Sequence, residues 1–292
     1  MTNERLVFKG GKHDALLTSP CGGYFDGVNS VSFGSCREGG VSLPLCGSLN
    51  HVVSSSVSSG RTEVVAFAAA DLVSGCVRAG HGVGISGGGV SLILSIDADM
   101  PLSTMARAAI TATEAVTCVL QDLDVRDSDG RPCTGCANLS VAVVRNVDSS
   151  IFLRGAGKHS RLGQLIGETV YDAVRSSAVQ NGLHYPGFDA VSRLIRAGCT
   201  VETLAAYAEV PDSEDFRAAL STVSKDPRTS GLVSSMLQLN DEMSWGLIPG
   251  DVGIEAARGM IEGVMYNGPY SAEDIPGMLA EAVARSAADW MK

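Results

Sequence analysis

The segment from Val90 to Val179 constrains the fold more than any other part of the chain. Leu139–Val144 is a short apolar run of the kind that forms a buried strand, and Val90–Ile96 reads as a strand paired with Gly82–Ile85 across the glycines 87–89. Between Ile96 and Leu139, residues 103–122 carry the clearest helical pattern. Met105, Ala109, Ala112, Val116, Val119 and Leu123 recur at helical spacing, and Ser103 is placed to cap the first turn. Leu162–Val179 reads as a second amphipathic helix. Shorter strands are expected at Leu6–Phe8, Ala15–Leu17, Val28–Phe33, Gly82–Ile85 and Ile151–Leu153. Another is expected at Glu63–Phe67, running into an Ala-rich segment that reaches Val73. The glycines 87–89 read as a turn, since the helix that follows a dinucleotide-binding glycine motif is missing. Strands and helices in this order predict the α/β class, with a mixed α/β sandwich-like core.

After Leu183 the strand-like runs stop. Segments 188–197, 200–209, 213–224, 229–244, 252–265 and 272–290 all read as helices, separated by Pro211, Pro227, Pro249-Gly250 and Gly268-Pro269. A boundary near His184–Gly187 divides an α/β domain, 1–182, from an all-helical C-terminal extension, 183–292. That extension is expected to serve as a lid or a dimer surface, so a homodimer is among the assemblies it allows. The charge is uneven. Residues 1–182 hold 16 acids and 14 bases, whereas residues 183–292 hold 16 acids and 8 bases. With no basic patch or Lys/Arg run, nucleic acid is excluded as an expected partner. The first residues lack an apolar signal core and no run reaches about 18 apolar residues, so no membrane partner and a cytoplasmic location are expected. The eight cysteines then read as thiols, ligands or core residues and not as a disulfide framework.

Several polar interruptions of apolar elements can carry chemistry. Thr18-Ser-Pro-Cys21-Gly22-Gly23 sets a thiol after a strand, where backbone N–H groups can line an oxyanion hole. His51 and His159 are the imidazoles available to such a nucleophile. The competing reading is a buried cysteine beside a glycine turn. Asn50-His51, at a strand edge, can bind an amide or simply cap a turn. Glu114 lies within the first helix among Ala and Thr. Cys133-Thr134-Gly135-Cys136 is a single C-x-x-C. Two thiolates hold only half of a tetrahedral metal site, and Cys21, Cys36, Cys46 or His51 would have to complete it, so a tight turn of small residues with no metal is the favoured reading. Gly155-Ala-Gly157-Lys158-His159 precedes a helix that Ser160 can cap, and it favours an anionic or amide-rich ligand without matching a P-loop.

Together these segments resemble the adenosylcobinamide amidohydrolase (CbiZ) family over about residues 5–182. The resemblance rests on the Ser19–Gly23 turn, Asn50-His51, Thr113-Glu114-Ala115, Thr134-Gly135, and the stretch Gly157–Gly167 leading into a helix. The central turn keeps Thr134 and Gly135 but has Cys133, Cys136 and Ala137 where the family has Ala, Thr and Gly or Thr, and two further departures bear on activity. Val116 stands where the family has Lys, and Asn138-Leu139 stand where it has Thr-Asp.

The resemblance implies an enzyme that hydrolyses the amide joining the aminopropanol arm to the corrin ring. Adenosylcobinamide would become adenosylcobyric acid in cobamide salvage. No resident cofactor is implied, because the cobalt belongs to the corrinoid substrate. Glu114, His51, His159 and Cys21 are the implied catalytic candidates. Gly22, Gly23, Asn50, Thr134, Gly135, Cys136, Asn138 and Lys158 are the implied substrate-binding ones. With no acid in the central turn, Glu114 would work with His51 or His159 on a water. The alternatives are a Cys21-dependent acyl transferase or thioesterase acting on another cofactor precursor, and a non-catalytic corrinoid or tetrapyrrole carrier.

Overall fold

The computed structural model describes residues 5–35, 38–81, 87–183, 189–265 and 268–292. Contacts divide the chain into two units, Met1–Val125 with Cys133–His184, and Arg126–Pro132 with Tyr185–Lys292. By sequence Arg126–Pro132 lies inside the first domain, yet it groups with the helices. The expected strand Gly82–Ile85 and the boundary residues His184–Gly187 lie outside the described residues.

The first unit is a mixed α/β structure. Its strands are β1 (Arg5–Val7), β2 (His13–Leu17), β3 (Gly23–Phe25), β4 (Ser30–Phe33), β5 (Gly40–Leu43), β6 (Val53–Ser59), β7 (Thr62–Asp71), β8 (Cys76–Val77), β9 (Gly89–Ile96), β10 (Gly135–Cys136) and β11 (Leu139–Asn146). Its helices are α1 (Leu102–Asp122) and α2 (Arg161–Gln180), with a 3-10 turn at Leu49–His51. Six strands form the main sheet in the order β3-β2-β11-β9-β7-β6. The pair β9–β11 is parallel, from Leu139 opposite Val90 to Arg145 opposite Ile96, and the other pairs are antiparallel. A parallel pair needs a crossover to return the chain, and α1 supplies it. Strands β9 and β11 are apolar on both sides because both faces of the sheet are covered. On one face Leu92, Leu94, Val141 and Val143 pack with Met105, Val116, Val119, Ile166 and Val170 of the two helices. On the other, Ile93, Ala142 and Val144 pack with Val31, Phe33, Val41 and Leu43 of the small sheet β1-β4-β5.

Local chemistry fixes the ends of these elements. Ser160 caps α2 as expected, its Oγ accepting from Gly163 N at 3.0 Å. Ser103 does not cap α1. Pro101 takes that place with no side-chain bond, its ring fixing φ ahead of the first turn. Ile151–Leu153 is reduced to one parallel bridge between Phe152 and Asp99. Gly89 begins β9 at φ +133°, and a Cβ there would lie 2.0 Å from Asn138 O, so only glycine lets the two parallel strands start side by side.

The opposite end of the sheet, where β11 finishes, is tied by a polar knot. Arg145 pairs with Asp14 at 2.7 Å and with Asp99 at 3.1 Å, and also donates to Met100 O. Tyr24 Oη donates to Asp14 at 2.5 Å, and Gly27 N donates to the second carboxylate oxygen at 2.9 Å. Asp14 is buried, which by itself raises its pKa. The bonds from Tyr24, Arg145 and Gly27 outweigh that and hold it below the ordinary value.

The second unit holds helices α3 (Ala190–Arg196), α4 (Val201–Tyr207), α5 (Glu214–Ser224), α6 (Pro227–Ser244), α7 (Gly250–Val264) and α8 (Ile275–Trp290). Asp189, Thr200, Ser213, Asp226 and Asp274 each cap the helix that follows. The core gathers Phe216, Leu220, Val233, Leu237, Ile261, Met278, Leu279 and Val283. Arg126 makes a two-pronged pair with Asp241 at 3.0 and 2.8 Å, both side chains being nearly inaccessible. Among the described residues no helix is long and apolar enough to cross a membrane.

Candidate functional site

The sheet end where β9 and β11 begin collects most of the chemistry. Across it lie the Cys21–Gly23 turn between β2 and β3, Asn138 before β11, Gly87 and Gly88 before β9, Asp71 at the end of β7, and His51 before β6. Asn138 Nδ2 donates to Gly87 O at 3.2 Å and Gly88 O at 3.0 Å, so its amide holds the glycine turn. The buried Cys46 thiol points at Asn138 O at 4.0 Å. Burial pushes that thiol up, the hydrogen bond with Ser91 opposes the shift, and the charge of Asp71 adds to it.

His51 is the best-prepared group. Its Nδ1 lies 2.8 Å from Asn181 Oδ1, and its carbonyl accepts from Ser177 Oγ at 2.7 Å, both on the last turns of α2. An amide oxygen can only accept, so in this arrangement Nδ1 donates to it, and the neutral ring then keeps its lone pair on Nε2. Gly47 keeps room for this arrangement, since a Cβ there would meet the Asn181 amide at 3.3 Å. Asn181 was not among the sequence candidates, and it is 130 residues from its partner. Asn50 is exposed and uses its N–H on Ser48 Oγ at 3.2 Å, as a turn residue does.

Thr134 sits against α1. Its carbonyl accepts from Thr117 Oγ1 at 2.8 Å and its hydroxyl accepts from Ala79 N at 2.9 Å. Its hydroxyl proton is then left to donate. Gly135 and Cys136 form β10 and pair with β8. Glu114, one helical turn before Thr117, is half-exposed and holds Lys158 at 3.0 Å. His159 follows Lys158 and is exposed. Glu114 is therefore bonded to Lys158 and not to either histidine.

Cys21 stands apart from the imidazoles. It is exposed, and four strand spacings of about 4.8 Å separate β2 from β6, which puts its turn roughly 19 Å across the sheet from His51. His159 lies beyond the far end of β11. Gly22 uses its N–H inside the turn, donating to Ser19 O at 2.7 Å, and a Cβ there would strike Leu17 O at 2.3 Å. Its glycine is a requirement of the turn, and its N–H is taken before any oxyanion arrives. Among the described residues no group of three or more His, Cys, Asp or Glu is placed to hold a metal ion.

The strand-end residues from Cys46 to Asn181 fall inside a recognisable family. A family model described as adenosylcobinamide amidohydrolase (CbiZ) matches residues 37–184. The chain belongs to that family. Its matched region takes in His51, Glu114, Thr134–Asn138, Lys158, His159 and Asn181, but not Cys21–Gly23. An uncharacterized protein of Methanocaldococcus jannaschii is 30% identical over 95 residues, which is 32% of this chain and 36% of that protein. The chain thus spans about a third of the length of that curated relative. No solved structure matches.

Proposed function

We propose that the chain is an amidohydrolase acting on a corrinoid, converting adenosylcobinamide and water to adenosylcobyric acid and aminopropanol. The observation that carries this reading is the family match over residues 37–184. In this reading His51 Nε2 takes a proton from the water that attacks the amide carbonyl and returns it to the leaving amine. Asn181 holds the ring in the tautomer this requires. A corrin ring with its amide arms is wide, so contacts to it need not converge on one point. The Thr134 hydroxyl offers a donor, and the Glu114–Lys158 pair offers an acceptor and a donor to such arms. Cobalt enters only as part of the substrate.

The test is incubation of the full chain with adenosylcobinamide, followed by mass spectrometry of the corrinoid. Adenosylcobyric acid and aminopropanol are expected in equal amounts, with one oxygen from labelled water in the new carboxylate. Saturable binding with the corrinoid returned unchanged would replace the enzyme by a carrier. Cys21→Ser should leave turnover intact, and loss of turnover in that variant, together with a covalent adduct on Cys21 of the wild type, would favour an acyl enzyme. Glu114→Gln removes an exposed ion pair, so stability should change by no more than about 0.5 kcal/mol. Turnover should be unchanged and KM should rise less than about tenfold, because in this reading the pair contacts arms distant from the reacting carbonyl.

A further inference from the structure

Strands β8 and β10 set Cys76 directly opposite Cys136. The next residue along, Ala137, donates its N–H to Gly75 O at 2.7 Å, so that neighbouring position is the hydrogen-bonded one. Antiparallel ladders alternate, which makes Cys76–Cys136 a non-hydrogen-bonded pair. Cα atoms of such pairs are about 4.5 Å apart, at the near end of the roughly 4.4–6.8 Å that a disulfide spans. The Cys76 thiol donates to Leu72 O at 3.5 Å and is within hydrogen-bonding reach of the Cys136 thiol. Both cysteines are free thiols, Cys76 buried and Cys136 partly exposed.

We infer that Cys76 and Cys136 form a reversible dithiol–disulfide site, closed by exchange with a low-molecular-weight disulfide. The partly exposed Cys136, as thiolate, attacks one sulfur of the incoming disulfide and expels the other as a thiol. Cys76 then loses its proton, attacks the Cys136 sulfur and releases the second thiol. Two protein thiols are oxidised and one disulfide is reduced to two thiols. The Cys136 thiol beside Cys76, together with burial, keeps the latter protonated at rest. Cys136 is the partly exposed thiol of the pair and Cys76 the buried one, which assigns the first attack to Cys136. The closed form would pin the segment bearing Thr134 and Asn138 to β8. This site does not depend on the corrinoid reading.

The experiment uses the full chain, fully reduced and then exposed to glutathione disulfide. Remaining thiols are alkylated and the digest is mapped by mass spectrometry. The expected product contains a Cys76–Cys136 crosslinked peptide pair, 2 mass units lighter than its two reduced peptides, and is restored by dithiothreitol. Cys133→Ser should still close, and Cys76→Ser should leave one glutathione standing on Cys136. A crosslink from Cys133 to Cys136, or wild type with glutathione on Cys136 and Cys76 still free, would overturn the assignment.

Discussion

Replacing His51 by alanine is expected to lower turnover of adenosylcobinamide by about 10²–10⁴-fold, the usual worth of a positioned general base, with binding little changed. The expectation follows from the proton inventory of the pair. Asn181 Oδ1 lies 2.8 Å from Nδ1 and accepts from it in this arrangement, which in the neutral ring leaves Nε2 as the basic nitrogen. Asn181→Leu keeps the ring but frees it to rotate and to change tautomer. Turnover should then fall about tenfold to a hundredfold with KM nearly constant. Nitrogen-15 spectra of the histidine ring give a second readout, independent of activity. The wild type should show the proton on Nδ1, and the variant a mixture of tautomers. Full turnover in His51→Ala would remove histidine from the mechanism, whereas a wild-type ring protonated on Nε2 would remove Asn181 as its orienting partner.

Arg145→Met should destabilise the first unit by about 3 kcal/mol, because it strands the buried Asp14 carboxylate. For a unit of this size that is a fall in Tm of roughly 6–12 °C. The sign of the pH dependence follows from Asp14. Its pKa is lowered in the folded chain from an ordinary 3.8, so the stabilisation is present above that value and is lost as pH falls through the folded pKa. Wild type should therefore lose stability below about pH 4. Asp14→Asn should be less stable at neutral pH and show a shallower acid limb. Urea unfolding at pH 7 and pH 3 compares the two. An Arg145→Met variant as stable as wild type would mean that Tyr24 and Gly27 alone suffice for the carboxylate.

The strand–helix–strand–helix core was legible because its elements are long and periodic. β9, α1, β11 and α2 lie where the apolar spacing puts them, and so do all six helices of the second unit. Strand β6 escaped because it reads Val-Ser-Ser-Ser-Val-Ser-Ser, an edge strand with only two apolar residues. β3, β8 and β10 have three residues or fewer, too short for any period. Ser103 has the right chemistry for a cap but lies one residue inside the helix that Pro101 starts. The site was legible as a set of residue types and not as partnerships. His51 stood out as a rare imidazole, but Asn181 reaches it only through the packing of α2 beside β6. Cys136 stood out for its C-x-x-C spacing with Cys133. Its facing partner, Cys76, is fixed by strand register across 60 residues, which no local spacing reveals.

The placement of Arg126–Pro132 bears on how separable this protein is. The polypeptide passes between its two units after Val125, before Cys133 and again after His184, three passages where a simple tandem fusion has one. A helical module added at the end of a finished α/β gene would leave the earlier loop untouched. Here that loop supplies Arg126 to a nearly inaccessible ion pair with Asp241 on α6. Cutting the chain after the α/β part therefore exposes an orphaned guanidinium on one fragment and an orphaned carboxylate on the other. The seven residues Arg126–Pro132 belong by contact to one unit and by chain order to the other, so no single cut frees the helical unit whole.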